Sequence, residues 1–146
     1  MQYIVLIGEG DLTLDSVKRL EHYGTTSSHD VPGIEERYWV NYGDDYIYYD
    51  YEVNLANEYE AGELDVIPFK SPSFIVMSYS SEERLLSILR QDNFLKGIYV
   101  DDDYGNIVPI EEFIARFDEF LGKRKRQVIL SDKRRMNSIS RRPYSL

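Results

Sequence analysis

The chain has 146 residues, 42% of them hydrophobic, which suits one domain with a single core of ordinary size. It has no cysteine, which excludes a disulfide scaffold, a cysteine nucleophile and thiolate metal sites and fits a reducing compartment. Its net charge of −9 hides a split: residues 1–121 hold 8 Lys/Arg against 25 Asp/Glu, a net of −17, whereas residues 122–146 hold 9 Lys/Arg against Asp132 alone, a net of +8. A strongly negative body repels nucleic acid and anionic lipid and attracts basic partners. The expected division is one folded domain over 1–121 and a basic C-terminal tail over 122–146.

The N-terminal apolar run Tyr3 to Ile7 has no basic lead-in and no small-residue cleavage site, which argues against a signal peptide. No other apolar run approaches a membrane span, so a cytoplasmic location is expected. Tyr3 to Ile7 reads as a buried strand ended by Gly8-Glu9-Gly10. A helix follows, capped by Asp11 or Thr13, with Leu14, Val17 and Leu20 on one side and Gly24 placed to end it. Thr25 to Glu36 reads as a loop.

Tyr38 to Tyr42 and Asp45 to Val53 are aromatic strands joined by Gly43-Asp44, a pair suited to a two-residue hairpin turn. That turn sets Val40 against Ile47, Tyr38 against Tyr49, Trp39 against Tyr48 and Asn41 against Tyr46. Alternation then puts Tyr38, Val40, Ile47, Tyr49, Tyr51 and Val53 on one face. Trp39, Asn41, Tyr46, Tyr48, Asp50 and Glu52 share the other, which is expected to meet solvent. Asn54 to Gly62 is a polar excursion, and Leu64 to Phe69 reads as a further short strand.

Phe74 to Tyr79 looks like a central strand. Ser80 or Ser81 then caps a helix whose apolar face is Leu85, Leu86, Ile88 and Leu89. Ile98 to Val100 is a strand, Asp102 to Asn106 a turn and Ile107-Val108 a brief return. The last helix has Ile110, Phe113, Ile114, Phe117 and Leu121 on one side, with Gly122 as its stop. The order β-α-β-β-β-β-α-β-β-α predicts an α+β fold: a mainly antiparallel or mixed β-sheet with about three helices packed on it.

Motifs of catalysis are weak. Gly8-Glu9-Gly10-Asp11 stands where a phosphate loop would, but it lacks a third glycine and a Lys-Ser/Thr and carries two carboxylates. Asp101-Asp102-Asp103 with Glu112 has part of a calcium-loop spacing, but Asn106 stands where that loop needs glycine, so a hairpin turn is the better account. His22 and His29 are not at ligand spacing and read as surface residues. No nucleophile elbow is present, and no catalytic residue, cofactor or metal is expected.

The stretch from Tyr38 to Phe69 is distinctive. It holds eight carboxylates (Asp44, Asp45, Asp50, Glu52, Glu58, Glu60, Glu63 and Asp65), no Lys or Arg, and six of the thirteen tyrosines lie within 38–51. Tyr and Trp give wide, rigid contact area, and carboxylates around them pair with the Arg and Lys of a partner. The candidate partner-binding residues are therefore Trp39, Asp44, Asp45, Tyr46, Tyr48, Asp50 and Glu52, with Asp101, Asp102 and Asp103 adding negative surface. In the tail, Lys123 to Arg126, Lys133 to Arg135 and Arg141-Arg142 are basic clusters around one apolar triplet, Val128-Ile129-Leu130. Docking on the chain's own domain, binding an anionic surface and a solvated tail stay open, with docking favoured by its high effective concentration.

In size, lack of cysteine, α+β order and the acid-rich aromatic segments Tyr38 to Glu52 and Ile98 to Asp103, the body resembles the small acidic immunity proteins of bacterial toxin–immunity systems. The resemblance implies a non-catalytic cytoplasmic inhibitor of a basic nuclease-type toxin, with no cofactor and no nucleic-acid contact by the acidic body. A nucleic-acid mimic, such as a phage-encoded inhibitor of a defence enzyme, and an enzyme with a dispersed active site are the alternatives.

Overall fold

The computed structural model describes residues 2–24, 27–30 and 37–120. Seven strands form one antiparallel sheet: β1 (Gln2–Gly8), β2 (Ser27–Asp30), β3 (Arg37–Asn41), β4 (Tyr46–Tyr51), β5 (Ser73–Tyr79), β6 (Tyr99–Asp101) and β7 (Ile107–Pro109), in the spatial order β2-β3-β4-β5-β1-β6-β7. The helices are α1 (Leu14–Lys18), α2 (Glu82–Leu89) and α3 (Ile110–Ala115). The expected α+β class holds. None of the described helices is long and apolar enough to cross a membrane.

β1 and β5 pair along their whole length at the middle of the sheet, Gln2 opposite Tyr79 through Gly8 opposite Ser73. Their near-continuous apolar runs follow from that position, since a strand covered on both faces has no solvent side to leave polar. On one face Ile4, Leu6, Val40, Ile47, Tyr49, Ile75, Met77 and Val100 meet the helices through Leu14, Val17, Leu85, Ile88, Leu89, Ile110 and Phe113. On the other, Val5, Ile7, Phe74 and Val76 are covered by the excursion between β4 and β5.

Several local expectations are corrected. Ser27–Asp30 is an edge strand paired with β3, and the rest of the expected 25–36 loop lies outside the described residues. Glu63–Val66 is a short 3-10 turn rather than a strand, as is Leu55–Glu58 before it. The first helix already ends at the Arg19 cap, ahead of Gly24, although Gly24 does take a positive φ of 80°. Ser81 is the α2 cap, its hydroxyl accepting from the Arg84 N–H at 3.2 Å. α3 breaks at Arg116, after which 117–120 is again helical and Phe120 stacks on Phe113, with ring centroids 5.5 Å apart. Leu121, Gly122 and the basic segment beyond lie outside the described residues.

The segment at the end of β1 is a packing device. A Cβ on Gly8 would come within 3.1 Å of Leu12 and 3.3 Å of Ile98. The Glu9 carboxylate accepts the backbone N–H groups of Lys70 and Ser71, at 3.3 and 3.0 Å, and so ties β1 to the approach to β5.

Candidate binding surface

The β3–β4 hairpin closes as its turn residues require. Gly43 takes a φ of 93°, Tyr42 N–H donates to the Asp45 carbonyl at 2.9 Å, and the Asn41 side chain accepts from Gly43 N–H at 2.8 Å. The register pairs Tyr38 with Tyr49, Trp39 with Tyr48, Val40 with Ile47 and Asn41 with Tyr46. It turns Tyr38, Val40, Ile47 and Tyr49 toward the helices, and Arg37, Trp39, Asn41, Tyr46, Tyr48 and Asp50 toward the second face. Val53 lies beyond β4 and is 71% exposed, so it belongs to neither strand face.

On the second face Trp39 stacks on Tyr48, with ring centroids 5.7 Å apart, and Tyr46 meets Tyr48 edge-on at 5.4 Å. The Arg37 guanidinium lies 4.9 Å from the Tyr48 centroid. Trp39, Tyr46 and Tyr48 are each half-buried, so this aromatic row keeps part of its surface accessible while its rings brace one another. The excursion that covers Val5, Ile7, Phe74 and Val76 contributes Leu55, Tyr59, Leu64, Ile67 and Phe69 to that separate cluster, which includes no residue of β3 or β4.

The acids are divided among different roles. Asp44 is exposed at the turn tip and Glu52 is half-exposed just after β4. Asp45 points to the helical face, where Arg84 Nε lies 3.2 Å away and the Arg84 guanidinium sits 3.9 Å from the Tyr42 ring centroid. Burial there pushes the Tyr42 hydroxyl up to about 12, partly offset by Arg84.

Asp50, expected in solvent, is 5% exposed and takes a two-pronged bond from Arg37, Nε at 2.6 Å and Nη2 at 3.1 Å. Burial raises its carboxyl pKa and Arg37 pulls it back in part. Arg37 was the missing signal: it stands one residue before the base-free stretch, and extending the hairpin register by one pair sets it opposite Asp50.

The Asp101–Asp103 acids are likewise largely internal. Asp101 is 6% exposed and accepts from the Tyr59 hydroxyl at 2.6 Å and the Asp103 N–H at 2.8 Å. Burial, the largest influence, pushes its carboxyl up to about 6. Asp102 is fully buried and accepts from the N–H groups of Tyr104 and Asn106, at 2.8 and 3.1 Å, and from the Asn106 side chain at 2.8 Å. Asp103 adopts a φ of 65° and accepts from the Tyr3 hydroxyl at 2.6 Å. Two of the three carboxylates therefore build the turn from inside it.

His22, read as a surface residue, is half-buried with Nε2 2.7 Å from the hydroxyl of fully buried Tyr49, and burial lowers its pKa. Nothing in the sequence places the end of α1 beside β4. Among the described residues no group of three or more His, Asp or Glu could hold a metal ion.

No protein-family model, curated protein or solved structure matches the chain. The structure thus brings together Trp39, Tyr46 and Tyr48, with Asp44 at the turn beside them and Glu52 where β4 ends. It places Asp45, Asp50, Asp101 and Asp102 in internal contacts.

Proposed function

We propose that the protein is a non-catalytic binding protein, an acidic inhibitor of a basic nuclease-type toxin, and that it docks through the Trp39–Tyr48–Tyr46 row. The observation that carries this reading is the row itself: a braced, half-exposed set of aromatic side chains on a sheet face, in a body whose charge attracts basic partners. Asp44 and the exposed carboxylates of the excursion, Glu60, Glu63 and Asp65, supply the attraction. The aromatic rings supply the contact area, and Arg37 over Tyr48 shows within the chain how a guanidinium seats on this surface.

The test is capture of the partner from the native cell by the tagged full chain and by its Trp39→Ala and Tyr48→Ala variants. The expected result is a basic protein with nuclease activity that equimolar wild-type chain abolishes, that both variants bind at least tenfold more weakly, and whose on-rate falls steeply as salt rises. A captured protein without nuclease activity, or one bound equally well by both variants, overturns the reading.

A further inference from the structure

The second face of the sheet is covered unevenly. The excursion over residues 54–69 packs on Val5, Ile7, Phe74 and Val76, and the cluster it forms there stops short of β3 and β4. Trp39, Tyr46 and Tyr48 beside it keep part of their surface accessible. The rings of this hairpin collect cations from their own chain. Lys18 Nζ lies 5.5 Å from the Tyr38 centroid, the Arg84 guanidinium 3.9 Å from that of Tyr42 and the Arg37 guanidinium 4.9 Å from that of Tyr48. Tyr46, edge-on to Tyr48, holds no such cation among the described residues. Asp44 at the turn, Glu52 after β4, and Glu60, Glu63 and Asp65 on the excursion surround the row with negative charge, and Tyr38 to Phe69 contains no Lys or Arg to offset it.

The complement is carried by the same chain. Residues 122–146 have a net charge of +8, and six of their nine cations are arginines, Arg124, Arg126, Arg134, Arg135, Arg141 and Arg142. A guanidinium stacks on an aromatic face more readily than an ammonium does. Reach decides which of the six qualify. The described chain ends at Phe120, stacked on Phe113 of α3, and α3 packs against β6 and β7 on the helical face. From β6 to β4 is three strand spacings of about 4.8 Å, the passage to the opposite face adds a layer of about 10 Å, and travel along the strands brings the path to roughly 30–40 Å. Lys123 to Arg126 lie too close to Phe120, because six residues span at most about 20 Å, whereas the chain from Phe120 to Arg134 spans up to about 45 Å.

We propose that Arg134, Arg135, Arg141 and Arg142 seat on the Trp39–Tyr48–Tyr46 row of their own chain, so that the basic segment is an intramolecular cover for this surface. A tethered segment competes for the row at an effective concentration in the roughly millimolar range. Its hold is electrostatic and therefore released by salt. A partner that uses the row has to displace the cover. That consequence rests on the partner reading, but the contact itself is measured without any partner.

Trp39 is the only tryptophan of the chain, so its fluorescence reports on the row directly. The experiment is quenching of the full chain by acrylamide, a neutral probe, at about 20 mM and about 0.5 M salt. In the wild type the quenching constant should be about two to three times smaller at low salt than at high salt. The full-length variant Arg134→Gln, Arg135→Gln, Arg141→Gln, Arg142→Gln should show the high-salt value in both conditions. The variant Lys123→Gln, Arg124→Gln, Lys125→Gln, Arg126→Gln should keep most of the protection. All eight substitutions lie outside the described fold, and matching unfolding curves confirm that the body is unchanged. Equal quenching of the wild type at the two salt concentrations, or protection that survives the first variant, overturns the cover. Protection that fades when the wild type is diluted from about 50 to about 1 µM assigns the arginines to a second copy and overturns it as well, since a tethered contact does not depend on concentration. Failure to capture a partner leaves these outcomes untouched.

Discussion

The β3–β4 hairpin and the Asp101–Asn106 turn hold the same ingredients, carboxylates beside tyrosines, and arrange them differently. In the hairpin one acid, Asp50, is buried against Arg37, and the aromatic side chains next to it stay partly open. In the turn the tyrosines reach inward to the acids, Tyr59 to Asp101 and Tyr3 to Asp103, while Asp102 satisfies the backbone. The difference lies in the available partners. A carboxylate opposite an arginine is neutralised as a pair, whereas one without a cation needs hydrogen-bond donors, and a tight turn supplies them from its own N–H groups.

The largest effect that could break this comparison lies in the hairpin. Asp50→Ala removes the buried carboxylate that Arg37 holds with two bonds, breaking the pair, and should cost about 3–5 kcal/mol in urea unfolding. Asp44→Ala, at the exposed turn tip, should stay within about 0.5 kcal/mol. Similar small losses for both would show that Asp50 is not the buried partner described. Asp50→Arg should also destabilise, because it sets a second cation opposite Arg37.

In the turn, Asp102→Ala strips three donors of their acceptor and should cost about 2–3 kcal/mol, with Asp102→Asn milder because one acceptor oxygen survives. If the asparagine variant were as damaging as alanine, charge rather than hydrogen bonding would be what the turn requires. Next comes Tyr48→Ala, which removes the Trp39 stack and the Arg37 contact from a half-exposed site and should lower stability by about 1 kcal/mol. A loss as large as that of Asp50→Ala would mean that the aromatic row is core and not surface.

The smallest effect separates the two regions by pH. His22 is held below its ordinary value by burial beside Tyr49, so its contribution is present above 6.5 and is lost as pH falls through its lowered folded value. Asp101, pushed up to about 6 by burial, works in the opposite sense and favours the folded state on the acid side. In unfolding curves from pH 7.5 to 5, His22→Gln should gain stability relative to the wild type on acidification, because it cannot take up the proton that weakens the folded state. An unchanged slope in that variant would remove His22 from the account.

The hairpin was legible because Gly43-Asp44 fixes a register and alternation does the rest. The middle strand was legible because Phe74 to Met77 is an unbroken apolar run. Ser27–Asp30 escaped notice because an edge strand needs only backbone bonds to β3, and Ser-Ser-His-Asp offers no β-branched or aromatic residue. Residues 64–69 misled in the other direction. Leu64, Ile67 and Phe69 are apolar because they pack down onto the sheet from a 3-10 turn, and a short apolar run does not distinguish that from a strand. These two errors cancel in the element order while altering what covers each face.

The sequence by itself determined the α+β class, the hairpin register, the positions of α2 and α3 and the uneven charge, all of which depend on local periodicity, turn chemistry or counting. Only the tertiary structure decided which carboxylates face outward. Burial of a charge is set by what lies opposite it, and Arg37, Arg84, Tyr59 and Tyr3 reach Asp50, Asp45, Asp101 and Asp103 across 13, 39, 42 and 100 residues of chain. The hairpin register alone could have anticipated the first. The other three pairings were fixed by how the elements pack and by the path of the excursion between β4 and β5, to which a count of acids is blind.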